Sequence, residues 1–167
     1  GIMNAMRNSL TTSYYVYHGS AITYDSKNRY YKCNGEALKD ANGTNITSQT
    51  ALTAWANANG VKKYSLSSFG IKTEAYASLT QSTTKYSYHI DGDADDSTSK
   101  NNTDVLMNML NSDPDMVVGF MKQAVSDLYS AIDGKMKSVK GLSSAYTIYN
   151  DIEMAQEYSD YTDTIKK

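Results

Sequence analysis

One apolar stripe in the C-terminal half of the chain constrains its fold more than any other feature. Between residues 114 and 137, apolar side chains recur every three or four positions, which places them on one side of an α-helix. The stripe consists of Val117, Phe120 or Met121, Ala124, Leu128, Ile132 and Met136. Asp113 can cap this helix, and Pro114, the only proline, stands at the first helical position, where proline is favoured. We therefore expect a long amphipathic helix that needs a partner surface.

A second helical pattern follows and continues to the last residue, Lys167. Its apolar residues include Ala145, Ile148, Ile152 and Ala155, and then Met154, Tyr158, Tyr161 and Ile165, whose spacings of four, three and four are typical of a heptad repeat. No stop signal follows this pattern. At the other end, residues 2–11 predict a short helix with no N-cap before Ile2. We expect both ends to be truncated helices of a larger bundle.

Residues between these helices predict β-structure. The runs 14–17 and 21–24, a turn at 25–28 and a return strand at 29–33 are typical of a β-hairpin. A helix is predicted over residues 49–58, with Thr47 or Ser48 as its N-cap and Gly60 beyond its end. Strand-like runs follow at 64–66 and 69–71, and residues 85–90 resemble a further strand.

These patterns predict an α+β fold, in which a helical bundle or coiled-coil leg carries a small antiparallel β-rich portion. We divide the chain into three segments. Residues 1–12 form a bundle helix, and residues 13–84 form a β-rich segment with one short helix, which is a candidate insertion. Residues 85–167 form a strand, an acidic turn and the helical leg.

Composition argues against several classes of function. The chain has 16 basic and 18 acidic residues and a net charge of −2, whereas duplex-binding proteins carry a concentrated basic surface. No apolar run approaches the ~18 residues that a membrane span requires, and the stretch from Ile2 to Leu10 is too short and too polar for the apolar region of a signal peptide. Cys33 is the only cysteine, so it forms no internal disulfide, and we expect it at a half-buried strand position.

An acidic turn resembles the first part of a calcium-binding loop. Asp91, Asp93 and Asp95 alternate as the first three ligands of an EF-hand do. The sixth position, which should be glycine, is Asp96, and the twelfth, which should be glutamate, is Asn102. We therefore predict a solvated turn between a strand and a helix; a weak cation site is the alternative.

The sequence predicts no catalytic, cofactor or metal site. His18 and His89, the only histidines, each fall on a predicted strand and lack neighbours at the spacing of zinc ligands. Neither a nucleophile elbow nor a glycine-rich phosphate loop is present. We expect a protein that is not an enzyme; an enzyme whose site residues are dispersed in sequence remains an alternative.

Tyrosine is unusually frequent, with 15 residues against 2 phenylalanines and 1 tryptophan. A tyrosine side chain has an apolar body and a polar tip, which suits an interface or an exposed β-sheet face; a compositional bias of the lineage is the third explanation. An alternative function follows, an extracellular adhesin or carbohydrate-binding module. Its binding residues would be Tyr14, Tyr15, Tyr17, Tyr30 or Tyr31.

Four short segments, in this order and spacing, resemble a known family. They are Ser65-Leu66-Ser67-Ser68-Phe69-Gly70-Ile71-Lys72-Thr73, Tyr88-His89-Ile90-Asp91-Gly92-Asp93, Asp104-Val105-Leu106 with Asp113-Pro114-Asp115, and Leu142-Ser143-Ser144-Ala145-Tyr146-Thr147-Ile148-Tyr149-Asn150-Asp151. Together they resemble the C-terminal half of the bacterial flagellar filament-capping family (hook-associated protein 2), as found in gut Firmicutes. The resemblance covers residues 61–167, and residues 13–60 match less closely.

The resemblance implies an extracellular protein of the flagellar tip, exported without a cleaved signal peptide. Members of the family form a ring at the growing filament and assist flagellin to fold and polymerise. The implied partners are flagellin, the hook–filament junction proteins and other copies of the same protein, with no cofactor. The packing residues that we expect, within the bundle or between protomers, are Ile148, Ile152, Tyr158, Tyr161 and Ile165. Ile148 and Ile152 could equally pack on the chain's own helix at 115–137.

Overall fold

The α+β class is confirmed by a computed structural model, which describes residues 2–73 and 87–137. The described residues fall into two compact units, residues 2–9 with 126–137 and residues 10–73 with 87–125, and the second is called the 10–125 unit. Within the described ranges the helices are α1 (Ile2–Leu10), α2 (Gln49–Ala58), α3 (Val105–Ser112) and α4 (Pro114–Lys137). The strands are β1 (Tyr14–Tyr17), β2 (Ser20–Asp25), β3 (Tyr30–Cys33), β4 (Glu36–Ala37), β5 (Lys63–Tyr64), β6 (Ile71–Thr73) and β7 (Tyr88–Ile90). The same ranges show no coiled coil, so the predicted leg stays a prediction.

The predicted hairpin is part of a larger antiparallel sheet with the strand order β4-β3-β2-β1-β5. Two of its connections are two-residue turns, at His18-Gly19 and Asn34-Gly35. All four turn residues have positive φ, as expected in turns whose twist matches that of the strands they join. The prediction that His18 lies on a strand is therefore wrong, because the turn takes it into the left-handed region, with φ of 49°.

The five-stranded sheet carries apolar side chains on both faces. Along β1, Tyr14 and Val16 are buried in one cluster with residues of α4, and the alternate side chains of Tyr15 and Tyr17 pack on a second cluster that includes Leu52 of α2. Successive side chains of a strand point to opposite faces. Each face of the sheet is thus covered by a different helix.

Local capping signals determine where the helices begin and end. The Ser48 side chain accepts a hydrogen bond from the Ala51 amide at 3.2 Å, and Gly60 follows the end of α2 with φ of 65°. Asp104 accepts from the Met107 amide at 2.9 Å, and Asp113 accepts from the Met116 amide at 3.2 Å. These bonds satisfy amide groups that a helix N-terminus leaves without intrahelical partners. The predicted starts of α2 and α4 are confirmed.

The apolar stripe of α4 is packed best in its first half, which belongs to the 10–125 unit. Val117, Phe120 and Ala124 are buried, and the Phe120 ring lies 4.8 Å from the Phe69 ring and 5.6 Å from the Tyr14 ring, measured between centroids. Phe69 ends a short 3-10 helix over Leu66–Phe69. The strand-like run predicted at 64–66 therefore ends at Tyr64, and the one predicted at 69–71 begins at Ile71.

A second, two-stranded antiparallel sheet pairs β6 with β7, with Ile71 opposite Ile90 and Lys72 opposite His89. The predicted strand at His89 is confirmed. An amide-to-carbonyl hydrogen bond of 2.9 Å from Asp91 to Gly70 extends the pairing by one residue. The acidic turn therefore begins directly at the end of this sheet.

Candidate functional site

The interaction residues predicted from the sequence, Ile148, Ile152, Tyr158, Tyr161 and Ile165, lie outside the described residues. Three other regions of the 10–125 unit remain as candidates. They are the polar network of the acidic turn, an apolar groove between α3 and α4, and a polar cleft beside the β1–β2 turn.

Asp91 is the centre of the polar network. The residue is 6% exposed. Its Oδ2 binds Lys72 Nζ at 2.8 Å, and Asn102 Nδ2 donates to its Oδ1 at 2.7 Å. These two partners, Lys72 first and Asn102 second, hold the pKa of Asp91 below its ordinary value. The network thereby ties β6 to the loop that precedes α3.

Two glycines allow the backbone of this region to come together. A Cβ atom on Gly70, which has φ of 73°, would lie 3.0 Å from the Asp91 Cβ atom. A Cβ atom on Gly92, which has φ of 88°, would lie 2.6 Å from the Asp104 Cβ atom. Glycine therefore suits both positions in two ways, because it tolerates positive φ and leaves room for the neighbouring chain.

A second part of the network joins β7 to the acidic turn. His89 Nδ1 forms a hydrogen bond with Asp96 Oδ2, and the Ser99 hydroxyl lies 3.0 Å from the same oxygen. The His89 bond is the largest cause that lowers the pKa of Asp96 to about 2. The Ser99 hydroxyl donates to the carboxylate, whereas the serine of a Ser-His-Asp triad contacts the imidazole.

The carboxylates of the acidic turn engage separate partners. Asp91 binds Lys72 and Asn102, Asp93 accepts from the Asp95 amide at 3.0 Å, and Asp96 binds His89. In the described ranges, no three His, Cys, Asp or Glu side chains come together as metal ligands. Asp93 and Asp95 are exposed, whereas Asp91 is buried.

The tyrosines predicted as a ligand-binding surface do not share one face. Tyr14 is 7% exposed and belongs to the core, whereas Tyr15 and Tyr17 project to the opposite side of the sheet. Tyr31 packs on that same side, and its hydroxyl lies 3.0 Å from Gln49 Oε1. A ligand that contacts Tyr14 and Tyr15 together would have to reach both sides of the sheet.

Cys33 has the half-buried strand position predicted for it. Its Sγ atom lies 3.4 Å from the Tyr17 carbonyl oxygen and 3.6 Å from that of Ser20. Burial raises the pKa of this thiol above its ordinary value, which reduces the fraction present as the nucleophilic thiolate.

An apolar groove of about 570 Å³ lies between α3 and α4. One wall comes from Leu106 and Leu110 of α3, and the other wall comes from α4. The residues of the α4 wall are Val117, Val118, Met121, Lys122 and Val125. Val118 is 46% and Val125 65% exposed, so α4 presents apolar side chains on the side away from the sheet as well.

A polar cleft of about 600 Å³ lies beside the β1–β2 turn. Three segments line it: the strand end and turn at residues 16–19, the α2–β5 region at residues 59–62 with Tyr64, and the α3–α4 junction around Asp113 and Asp115. The rings of Tyr17 and His18 stack at its edge, 3.8 Å apart. Sequence reasoning missed this cleft, because its parts are distant in the chain and His18 was expected on a strand.

The β1–β2 turn is held against the backbone of α4. A Cβ atom added to Gly119 would lie 2.3 Å from the Gly19 carbonyl oxygen and 2.6 Å from the carbonyl carbon. Only glycine permits an approach this close between a helix and another segment of main chain. The contact therefore fixes the turn that carries His18.

No protein-family model, curated protein or solved structure matches the chain. Among the described residues, no helix is long and apolar enough to cross a membrane.

Proposed function

We propose that the chain is part of a structural protein of the bacterial flagellar tip, which caps the filament and promotes the folding and polymerisation of flagellin. It acts through contacts with flagellin, with the hook–filament junction proteins and with other copies of itself, and not through catalysis. In this proposal the protein is extracellular and reaches the tip through the flagellar export channel without a cleaved signal peptide.

One observation carries the proposal: the described segments that resemble the capping family pack together as one framework. The segment at 65–73 supplies Gly70 and Lys72, which bind Asp91 of the segment at 88–93. Gly92 of that second segment packs on Asp104, the N-cap of α3. Segments that resembled the family only by chance would not be expected to contact one another in the fold.

The same framework joins the start of α4, where the third resembling segment ends. Phe69, from the first segment, is fully buried against Phe120 of α4. The three described segments of the resemblance thus converge on one core and one polar network. The fourth segment, residues 142–151, lies outside the described residues.

The surface of α4 also supports a role in assembly. Helices that pack only within their own chain show a single apolar stripe, whereas an additional exposed apolar strip marks an interaction surface. On α4, Phe120 and Ala124 face the core, and Val118 and Val125 are exposed beside the α3–α4 groove. A protein that docks subunits at a filament tip requires surfaces of this kind.

Deletion of the gene tests the proposal. Without a cap, exported flagellin should accumulate in the medium as unpolymerised subunits, and the cells should lack filaments. Complementation with the intact gene is the control and should restore both. Normal swimming filaments in the deletion strain would overturn the proposal.

A further inference from the structure

We propose that the polar cleft beside the β1–β2 turn binds a neutral polyhydroxylated ligand, the chemistry of a saccharide. Its volume of about 600 Å³ is within the range of small-molecule sites, roughly 300–1,000 Å³. All its lining residues belong to the 10–125 unit. This function goes beyond filament capping and does not depend on it.

The charges of the lining favour a neutral ligand over an ion. Two acidic residues, Asp113 and Asp115, line the wall formed by the start of α4, and one basic residue, Lys62, lines the wall formed by the α2–β5 connection. A small anion would meet the carboxylates, and a small cation would meet Lys62. A hydroxyl group can donate to a carboxylate and accept from an ammonium, so adjacent hydroxyls on one ligand can satisfy both walls.

Asp115 is the carboxylate best suited to this role. Asp113 already accepts the Met116 amide as the N-cap of α4, whereas the exposed Asp115 side chain projects from the first turn of the helix. Hydrogen bonds to ionised groups are stronger than bonds between neutral groups. We assign Asp115 to a ligand hydroxyl.

The cleft also offers a surface for the apolar face of a sugar ring. His18 is exposed and stacks on Tyr17 with an angle of 22° between the ring planes. Val16, Val61 and Met116 add apolar atoms to the lining. A pyranose presents C–H groups on its faces and hydroxyls around its edge. The aromatic ring surface suits the C–H faces, and the charged residues suit the hydroxyls. Tyr17 is also one of the tyrosines singled out in the sequence.

The cleft is preorganised before any ligand enters. The His18 backbone is held at φ of 49°, a conformation that non-glycine residues adopt at some cost. The close contact between Gly19 and Gly119 of α4 also holds this turn in place. A ligand would therefore bind with little ordering of the protein, which lowers the entropic cost of association.

The two histidines provide a direct test by proton NMR of the intact chain. His18 lines the cleft and His89 does not, so the imidazole resonance of His89 is an internal control. Galactose, N-acetylglucosamine, fucose and lactose are titrated separately. We expect at least one of them to shift the His18 resonance to saturation and to leave the His89 resonance unchanged.

Two variants complete the test. Asp115→Ala should weaken the binding roughly tenfold, as expected for a lost hydrogen bond to a charged group. Asp95→Ala, which removes an exposed carboxylate from the acidic turn, should bind as the parent chain does. A far-UV circular dichroism spectrum like that of the parent chain verifies folding in each variant.

Three results would overturn the proposal: no His18 shift with any of the four sugars, equal shifts of both histidines, or full affinity in Asp115→Ala. If glycine or acetate shifts His18 and the sugars do not, the ligand class is wrong. The test uses the chain alone, so its failure is separate from a failure of the gene-deletion experiment.

Discussion

Replacement of Gly119 by alanine should destabilise the 10–125 unit, although alanine is the better helix former. Gly119 is buried within α4, and its new Cβ atom would lie 2.3 Å from the Gly19 carbonyl oxygen and 3.1 Å from the Ser20 nitrogen. The atoms that it meets belong to the main chain, so no side-chain rotation relieves the overlap. Either α4 or the β1–β2 turn must move.

Two opposing contributions determine the net effect. Glycine to alanine within a helix contributes about 1 kcal/mol of stability through backbone entropy. Overpacking a well-packed site costs about 1–3 kcal/mol and occasionally more. Because the overlap is severe and involves backbone, we expect the upper end of that cost. The free energy of unfolding should therefore fall by about 2 kcal/mol.

Urea denaturation monitored by far-UV circular dichroism and by fluorescence measures this change. Trp55, the only tryptophan, lies in the same unit as Gly119 and reports on it. Gly134→Ala is the matched control, because it lies in the same helix and no described residue stands within 4 Å of its Cβ position. The circular dichroism transition of the control should stay in place or move to higher urea. A Gly119→Ala chain as stable as its parent would refute the predicted contact.

Three further predictions concern the network, the core and a cap. The pKa of Asp96 is about 2 in the folded chain against 3.8 for a free side chain, so the stability that Asp96 contributes is complete above pH 3.8 and is lost as the pH falls toward 2. Between these pH values, the free energy of unfolding should fall more in the parent chain than in Asp96→Asn. Parallel plots of unfolding free energy against pH for the two proteins would contradict the pairing of Asp96 with His89. Phe120→Ala should lower the free energy of unfolding by about 3–5 kcal/mol, while the exposed control Val118→Ala should change it by less than about 0.5 kcal/mol in urea denaturation. Ser48→Ala should cost about 1 kcal/mol in the same assay, and no change would rule out the cap of α2.

Helix starts were predictable because their signals are local. Ser48 precedes α2, and Asp113 with Pro114 begins α4, so each start depends on residues that are adjacent in sequence. The faces of β1 were also predictable, because side chains two positions apart in a strand share a face. Tyr14 and Tyr15 therefore lie on opposite faces.

Other features required contacts between distant segments. The pairing of β1 with β5 and the approach of Gly119 to Gly19 have no local signal. His18 was assigned to a strand because its neighbours favour β-structure, but a two-residue connection takes it to positive φ. The polar cleft depends on that turn, so it could not be predicted from the sequence either.

Immunoelectron microscopy of intact cells tests the central claim most directly. Antibodies raised against this chain should label the distal ends of flagellar filaments and nothing along their length, with the gene-deletion strain as the control for specificity. Label distributed along the filaments, or filaments whose tips carry none, would contradict the assignment to a filament cap.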